Sequence, residues 1–219
     1  MKNLLSSILS AFRKSSLART DPANLRCIVG LGNPGSRYRS TRHNVGFEVV
    51  SSLAESLRAP LIAGKGDYFF CQSTFANYDV VAAAPSTFMN ASGVAVEQLH
   101  QLFGLTPSNF LIVYDDFQLP LGTLRFRPEG SDGGHNGMAS VIEHLGTEGI
   151  PRLRVGIAGK TCPTSERKEL MASYVLSRFE KDELHTVSEM IGHAREGVLD
   201  FVEHGIEFAM NNFNRSFLI

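Results

Sequence analysis

The segment from Gly30 to Asn44, GLGNPGSRYRSTRHN, most constrains what this chain can fold into. It follows an apolar run, Leu25–Val29, that is typical of a buried strand, and it precedes an amphipathic helical pattern over Val45–Leu57. A glycine- and proline-containing turn with a polar tip, placed between a strand and a helix, is where α/β proteins gather ligand-binding groups. The segment therefore predicts a functional site at the end of the first strand.

The rest of the pattern predicts one α/β domain, with a mixed, mostly parallel twisted sheet and helices on both faces. The predicted strands are Tyr68–Phe75, Tyr78–Ala84, Phe110–Tyr114, Thr123–Arg127 and Arg152–Ile157, and the predicted helices are Val94–Phe103, Asn136–Leu145, Lys181–His204 and Glu207–Phe213. Ala76-Asn77 is expected to form a tight hairpin. With 219 residues, 43% of them hydrophobic, the chain can build one full core.

Residues 1–23 are expected to form an N-terminal extension, either a short helix or disordered, outside a catalytic domain of residues 24–219. The Asp21-Pro22 pair separates the two parts. The first 20 residues contain serine and arginine and no acid, which resembles an organelle transit peptide. We favour the simple extension and a cytoplasmic protein, with an organellar location as the alternative.

Charge is distributed unevenly along the chain. Residues 1–42 contain eight Lys or Arg residues against one acid and carry +7, so the remainder carries −8. This asymmetry indicates a polyanionic partner on one face, although solvated surface residues explain it equally well. Three cysteines form no disulfide or zinc pattern, and no apolar run reaches the roughly 18 residues that a membrane span needs. We expect no membrane partner and a monomer.

The glycines of GLGNPG match the dinucleotide-binding fingerprint, but their surroundings argue against a nucleotide cofactor. In that fingerprint a helix begins at the glycines, whereas here Pro34 and a polar stretch intervene before the helical pattern at Val45. The glycines more plausibly allow a sharp turn and the close approach of the backbone to a ligand. No cofactor is expected.

His43 is the candidate general base. By itself a histidine before a helix is more often a cap or a surface residue, but Asp115 and Asp116 follow the strand Phe110–Tyr114. If that strand lies parallel to Leu25–Val29, the histidine and an aspartate share one edge of the sheet. A carboxylate that accepts the Nδ1 proton orients the ring and stabilises its charged form. No other histidine or acid lies at a metal-ligand spacing from His135 on one helix face, so no metal is expected.

Other polar groups are expected at the same edge. Asn90 follows the strand ending at Ala84, and Gly133-Gly134-His135-Asn136 opens a helix whose amides suit a carbonyl or phosphate. Helix capping explains Asn90 and His135 at least as well. Arginines two residues apart on a strand can bind successive phosphates, although solvated strand edges show the same pattern; the two pairs are Arg125 with Arg127, and Arg152 with Arg154.

Together these motifs resemble the bacterial-type peptidyl-tRNA hydrolase family. The elements GLGNPG, TRHNVG, TFMN, VYDD with LPLG, GGHNG and RLRVGI occur in family order between about Leu25 and Asn214. The resemblance implies hydrolysis of the ester between peptide and tRNA, with peptidyl-tRNA as the partner.

The resemblance also implies residue roles. By this resemblance His43 is the catalytic base and Asp115 orients it. Substrate- and tRNA-binding roles fall on Asn33, Tyr38, Met89, Asn90, Asn136, Arg125 and Arg154. The last two correspond to a basic pair associated with a terminal phosphate of tRNA.

Two features depart from the family pattern. Gln118 stands where the family usually has an acid, and the chain begins about two dozen residues before the usual start. The extension favours an alternative function, a non-catalytic RNA-binding protein of the intron-splicing type on the same scaffold. Retention of His43, Asp115 and the three asparagines favours the enzyme.

Overall fold

The computed structural model describes residues 21–164 and 167–217. The expectation for the N-terminal extension concerns residues 1–23, so nearly all of it lies outside the described residues. Within them, no helix is long and apolar enough to cross a membrane.

A seven-stranded sheet forms the centre of the described chain, with the strand order β2-β3-β4-β1-β5-β7-β6. The strands are β1 Leu25–Gly30, β2 Ile62–Ala63, β3 Tyr68–Phe75, β4 Tyr78–Pro85, β5 Phe110–Pro120, β6 Leu124–Arg127 and β7 Arg152–Ala158. Strand β1 is parallel to β4 and β5, and β5 is parallel to β7, whereas the outer strands pair antiparallel. The mixed sheet predicted from the sequence is confirmed, with parallel pairing among the four central strands and antiparallel pairing outside them.

Six α-helices cover the two faces of the sheet in the described residues. They are α1 Val45–Ser56, α2 Ser92–Phe103, α3 Asn136–Leu145, α4 Lys168–Val175, α5 Leu184–His204 and α6 Ile206–Phe213. Helices α1, α5 and α6 contribute to one apolar cluster, while α2 and α3 contribute to the other. Successive residues of β1 point to opposite clusters: Ile28 packs in the first and Val29 in the second. This alternation is expected of a strand that is buried on both faces.

The strand that precedes the aspartates is longer than predicted. The sequence pattern ends it at Tyr114, but β5 continues through Asp115 and Asp116 because β7 runs alongside and pairs with both residues. The pairing becomes irregular only between Asp116 and Pro120. Helix α4 and the two-residue strand β2 were not predicted, since both are short and amphipathicity is weak over so few residues.

Two glycines allow helix α1 to pack directly on the ends of β1 and β5. A side chain at Gly30 would collide with the Gly46 carbonyl, and one at Gly46 would collide with backbone atoms of Leu31 and Val113. Gly30 therefore serves helix packing, whereas Gly35, with a φ of 99° and no atom within 4 Å of an added side chain, serves the sharp turn expected from the sequence. Helix α1 begins at Val45, well after the glycines, which supports the argument against a dinucleotide site.

Candidate active site

The parallel pairing of β1 with β5 brings His43 to Asp115. Gly30 lies opposite Val113, so the turn after β1 emerges beside the carboxyl end of β5. His43 Nδ1 lies 2.7 Å from Oδ1 of Asp115, whose side chain is only 1% exposed. The pairing of histidine and aspartate that the sequence indicated is thus present in the fold.

A second histidine contacts the same carboxylate oxygen. His135, the residue before helix α3, places Nε2 3.1 Å from Oδ1 of Asp115. The His43 and His135 rings are 5.1 Å apart between centroids, and the Tyr114 ring centroid lies 4.7 Å from that of His135. Asp115 therefore binds two imidazoles, which the sequence did not reveal.

Hydrogen bonding fixes the tautomer of His135. Its Nδ1 accepts the Met138 amide proton at 3.1 Å, the helix-capping role considered from the sequence. A neutral ring with a lone pair on Nδ1 carries its proton on Nε2, so His135 donates to Asp115.

The three side chains are the one group in the described residues close enough together to be considered for a metal ion. The protonated Nε2 of His135 lacks the lone pair that a metal needs. The chemistry of these donors therefore fits a hydrogen-bonded cluster.

The cluster sets the charge of its members. Burial lowers the pKa of His43, but the negative charge of Asp115 and its hydrogen bond outweigh burial and raise that pKa above the ordinary 6.5. Burial raises the pKa of Asp115, yet the two histidines lower it further, so the net shift of this pKa is strongly downward. Asp115 consequently remains a carboxylate, and it accepts a hydrogen bond from each ring.

Asn44 and Asn33 hold the turn on which His43 lies. The Asn44 side chain accepts from the Asn33 amide and donates to the Asn33 carbonyl, both at 2.9 Å. Asn33 in turn accepts the Met89 amide proton on Oδ1 at 2.9 Å. This bond orients the Asn33 side chain and leaves its amide nitrogen as a donor.

Arg42 anchors the other side of the same turn. Its guanidinium is fully buried, bonds Glu183 Oε2 at 2.8 Å, and lies 4.5 and 4.7 Å from the ring centroids of Tyr174 and Phe179. Its backbone amide donates to the Ser177 carbonyl. Arg42 is thus a structural residue that ties the His43 turn to the segment between α4 and α5.

Three of the predicted substrate-binding side chains are accessible at this edge. Tyr38 is half-buried and meets Phe88 edge to face, with 6.2 Å between centroids, and Phe88 is 57% exposed. Asn90 and Asn136 are exposed, in the turn before α2 and at the start of α3. Met89, in contrast, is buried and contacts the site through its backbone.

A cavity of about 320 Å³ opens beside Asp115, on the side of β7. Arg154 and Arg127 line it, and Asp116 forms an ion pair with Arg154. Arg125 lies opposite Arg154 in the antiparallel pairing of β6 and β7, but it is not among the residues that line the cavity.

Arg152, unlike Arg154, is not accessible to a ligand. It is 1% exposed and donates to the carbonyls of Ser131, Glu148 and Ile150. The interpretation of Arg152 and Arg154 as a phosphate-binding pair is therefore wrong for Arg152, which instead ties the loop before α3 to the segment before β7.

The glycine-rich loop before α3 uses two of the amides that were expected to face a ligand. Gly134 donates to the Asp132 side chain at 2.7 Å, and His135 donates to the Asp132 carbonyl at 3.0 Å. These amides hold the loop in shape, so they do not bind an oxyanion in this conformation.

Comparison with known proteins shows a match over nearly all of the described fold. A model of the family Peptidyl-tRNA hydrolase matches residues 27–218. A Peptidyl-tRNA hydrolase of Chlorobium limicola is 41% identical over 191 residues, which is 87% of this chain and 98% of that protein. The chain belongs to the peptidyl-tRNA hydrolase family.

Other members agree with this assignment. A Peptidyl-tRNA hydrolase of Sulfurihydrogenibium sp. is 41% identical over 198 residues, 88% of this chain and 98% of that one. The crystal structure of peptidyl-tRNA hydrolase from Acinetobacter baumannii superposes with a TM-score of 0.81 at 34% identity, covering 88% of this chain and 96% of that one. The α/β fold is therefore that of the peptidyl-tRNA hydrolases.

Sequence reasoning missed two contacts that the fold brings to the site: that of His135 with Asp115, and that of Phe88 with Tyr38. Arg127 was considered only as one of a pair with Arg125, and the structure places Arg127 alone of the two at the cavity. His135 was interpreted only as a cap, and its contact with Asp115 is set by tertiary structure. Phe88 and Arg127 stand within recognised motifs, TFMN and an alternating strand, so position in those motifs was the available signal.

Proposed function

We propose that this chain hydrolyses the ester between the peptide and the terminal ribose of peptidyl-tRNA, with His43 as the general base. Membership of the peptidyl-tRNA hydrolase family supports the reaction. The observation that carries the assignment of the base is the 2.7 Å contact of His43 Nδ1 with Asp115, which leaves Nε2 as the proton acceptor.

In the proposed mechanism, His43 Nε2 removes a proton from water as the water attacks the ester carbonyl. The ring becomes positively charged in this step, and the adjacent carboxylate of Asp115 stabilises that charge. His135 donates a second hydrogen bond to the same oxygen and so holds Asp115 in place. Such acid–base catalysis contributes about 10²–10⁴-fold to the rate.

Carboxamides would stabilise the tetrahedral intermediate and hold the peptide. The side-chain nitrogen of Asn33, Nδ2, would donate to the oxyanion. Its orientation is fixed because the side-chain oxygen accepts a hydrogen bond from the Met89 backbone amide. Asn90 and Asn136 are exposed and can turn toward the peptide part of the substrate. Tyr38, with Phe88, offers an aromatic surface at the same edge.

The β7 side of the site is proposed to bind tRNA phosphate. Arg154 is oriented by Asp116, and Arg125 and Arg127 supply further positive charge on the neighbouring strand. Guanidinium groups bind phosphate oxygens through charge-assisted hydrogen bonds. Arg127 supports the proposal better than Arg125, because Arg127 lines the cavity with Arg154. The non-catalytic alternative gives no reason for a base with an accessible nitrogen held by a buried carboxylate.

The proposal is tested with N-acetyl-aminoacyl-tRNA as substrate and unblocked aminoacyl-tRNA as control. The protein is expected to cleave the first ester and to leave the second intact, with release of the acylated amino acid measured over time. His43→Ala is expected to bind the substrate without cleaving it. If the wild-type protein binds the tRNA but releases no acyl group, the non-catalytic alternative is correct.

A further inference from the structure

The basic residues near the N-terminal end of the chain differ in location and burial. Of those that the structure describes, Arg26 lies at the opposite edge of the sheet, and Arg42 is buried against Glu183. Arg37 and Arg39 remain, both exposed on the loop between β1 and α1 that leads to His43. The part of the charge asymmetry that reaches the active site therefore resides in these two arginines.

The loop holds Arg37 and Arg39 at the surface in a defined conformation. A 3-10 turn spans Ser36–Tyr38, and the backbone has positive φ at Gly35 and at Ser40 on either side. The Arg37 guanidinium lies 5.8 Å from the Tyr38 ring centroid. Arg37, Tyr38 and Arg39 thus form a short, folded surface segment, called the ridge below, in which one aromatic residue lies between two arginines in the sequence.

No carboxylate neutralises this ridge. Within residues 21–164 and 167–217, neither Arg37 nor Arg39 has an ion-pair partner, whereas Arg42 and Arg154 each have one. Residues 31–47 contain no acid, and neither do residues 80–96, which form the adjacent turn with Phe88. The positive charge is therefore available to an anion from outside the protein.

The ridge and Arg154 lie on opposite sides of His43. At the carboxyl edge of the sheet, β4 and β1 carry Phe88 and the ridge, β5 carries Asp115, and β7 carries Arg154. If the ester of a polyanionic substrate lies at His43, the rest of the substrate extends either over the ridge, over Arg154, or over both. Positive charge beside accessible aromatic rings is an arrangement that proteins use to bind single-stranded nucleic acid.

We propose that Arg37 and Arg39 bind backbone phosphates of the single-stranded 3′ end of the tRNA, beside the aromatic surface of Tyr38 and Phe88. This inference rests on the proposed function, because that function places the 3′-terminal ribose at His43. It adds a second phosphate-binding surface, separate from the one beside Arg154. Together the two surfaces make recognition depend on both the single-stranded 3′ end and the phosphate bound beside Arg154.

The test compares Arg37→Ala/Arg39→Ala with Arg26→Ala/Arg58→Ala, a control that removes the same charge. Arg26 lies near the start of β1, at the far edge of the sheet, and Arg58 is an exposed residue just after the end of α1. Binding of an unreactive single-stranded RNA with the tRNA 3′-end sequence is measured by fluorescence anisotropy over a range of salt concentrations. The first variant is expected to bind roughly tenfold more weakly at low salt, with a slope of log K against log salt shallower by about 0.7 per lost phosphate contact. The control is expected to match the wild type.

Hydrolysis provides the second measurement. For N-acetyl-aminoacyl-tRNA, the ridge variant is expected to raise KM, and Arg37→Lys/Arg39→Lys is expected to restore it in part, because lysine retains the charge. For the corresponding adenosine ester, which has no 3′ phosphates, the effect on KM should be much smaller. A salt slope equal to that of the wild type, or an equal loss for the adenosine ester, overturns the inference. A wild-type protein that binds the RNA through the ridge but cleaves nothing would overturn the proposed function instead.

Discussion

The two segments that place a histidine beside Asp115 make the same contact with different consequences. His43 lies on a 3-10 turn, Arg42–Asn44, and binds the carboxylate through Nδ1, so Nε2 remains the proton acceptor. His135 binds the carboxylate through Nε2, while Nδ1 caps helix α3. Only His43 can therefore accept a proton from water without breaking a structural hydrogen bond.

This difference shows that proximity to a carboxylate does not by itself identify a general base. Both rings touch the same oxygen of Asp115, and their partners at the second nitrogen distinguish them. A ring with both nitrogens engaged acts as a fixed donor, whereas a ring with one nitrogen available can move a proton. The two histidines and the turns that hold them should therefore respond differently to substitution and to pH.

The largest effect separates the two histidines directly. His43→Ala is expected to lower kcat by about 10²–10⁴-fold, because it removes the base. His135→Ala is expected to lower kcat by about 10–100-fold at most, because a hydrogen bond to a charged group is worth about 1.5–3 kcal/mol. Steady-state kinetics with N-acetyl-aminoacyl-tRNA measures both, and a larger loss for His135→Ala would reverse the roles of the two residues.

The anchoring of the His43 turn gives the next effect. Arg42→Met leaves Glu183 buried without its partner, and breaking a buried ion pair of this kind costs about 3–5 kcal/mol of stability. The free energy of unfolding in urea measures the loss. Arg42→Met/Glu183→Met is the matched control, since it removes both charges and should recover much of the stability. Equal destabilisation in the single and double variants would show that packing against the two rings, rather than charge, accounts for the effect.

The pH dependence follows from the charge of Asp115. The carboxylate raises the pKa of His43 above 6.5, and the base must be neutral, so kcat/KM is expected to fall as the pH drops through a value above 6.5. Asp115→Asn removes the negative charge, which should move this acidic limb to lower pH while the plateau rate also falls. A pH profile of each protein tests the shift. An unmoved limb would mean that a group other than His43 controls the profile.

The smallest effect concerns the cap at helix α3. His135→Ala removes the acceptor for the Met138 amide and is expected to cost about 0.5–2 kcal/mol of stability. His135→Asn should retain most of the stability, because asparagine is a good capping residue, yet it should not restore the contact with Asp115. Thermal unfolding and kcat of both variants separate the cap from the carboxylate contact. If Asn restores kcat as well as stability, His135 acts on catalysis only through the helix.

The amino-acid sequence by itself determined the turn between β1 and α1, and it predicted the meeting of His43 and Asp115 on the condition that β1 and β5 are parallel, which the structure shows. These features follow from local patterns, apolar strands and a glycine-rich turn, together with the rule that parallel strands end at one edge of the sheet. The bounds of β5 did not follow, because the aspartates continue the strand only through pairing with β7.

Tertiary structure alone decided which charged and polar side chains are buried and which partners they bind. Arg42 meets Glu183 across 141 residues and His135 meets Asp115 across 20, while Arg152 and Arg154, two residues apart on one strand, differ in burial. Local sequence patterns show which side chains of a strand or helix share a face. They do not show which neighbouring helix or strand packs over a given side chain and shields it from water. The desolvation and pairing of charges depend on that cover, so the chemistry of this site required the packed fold.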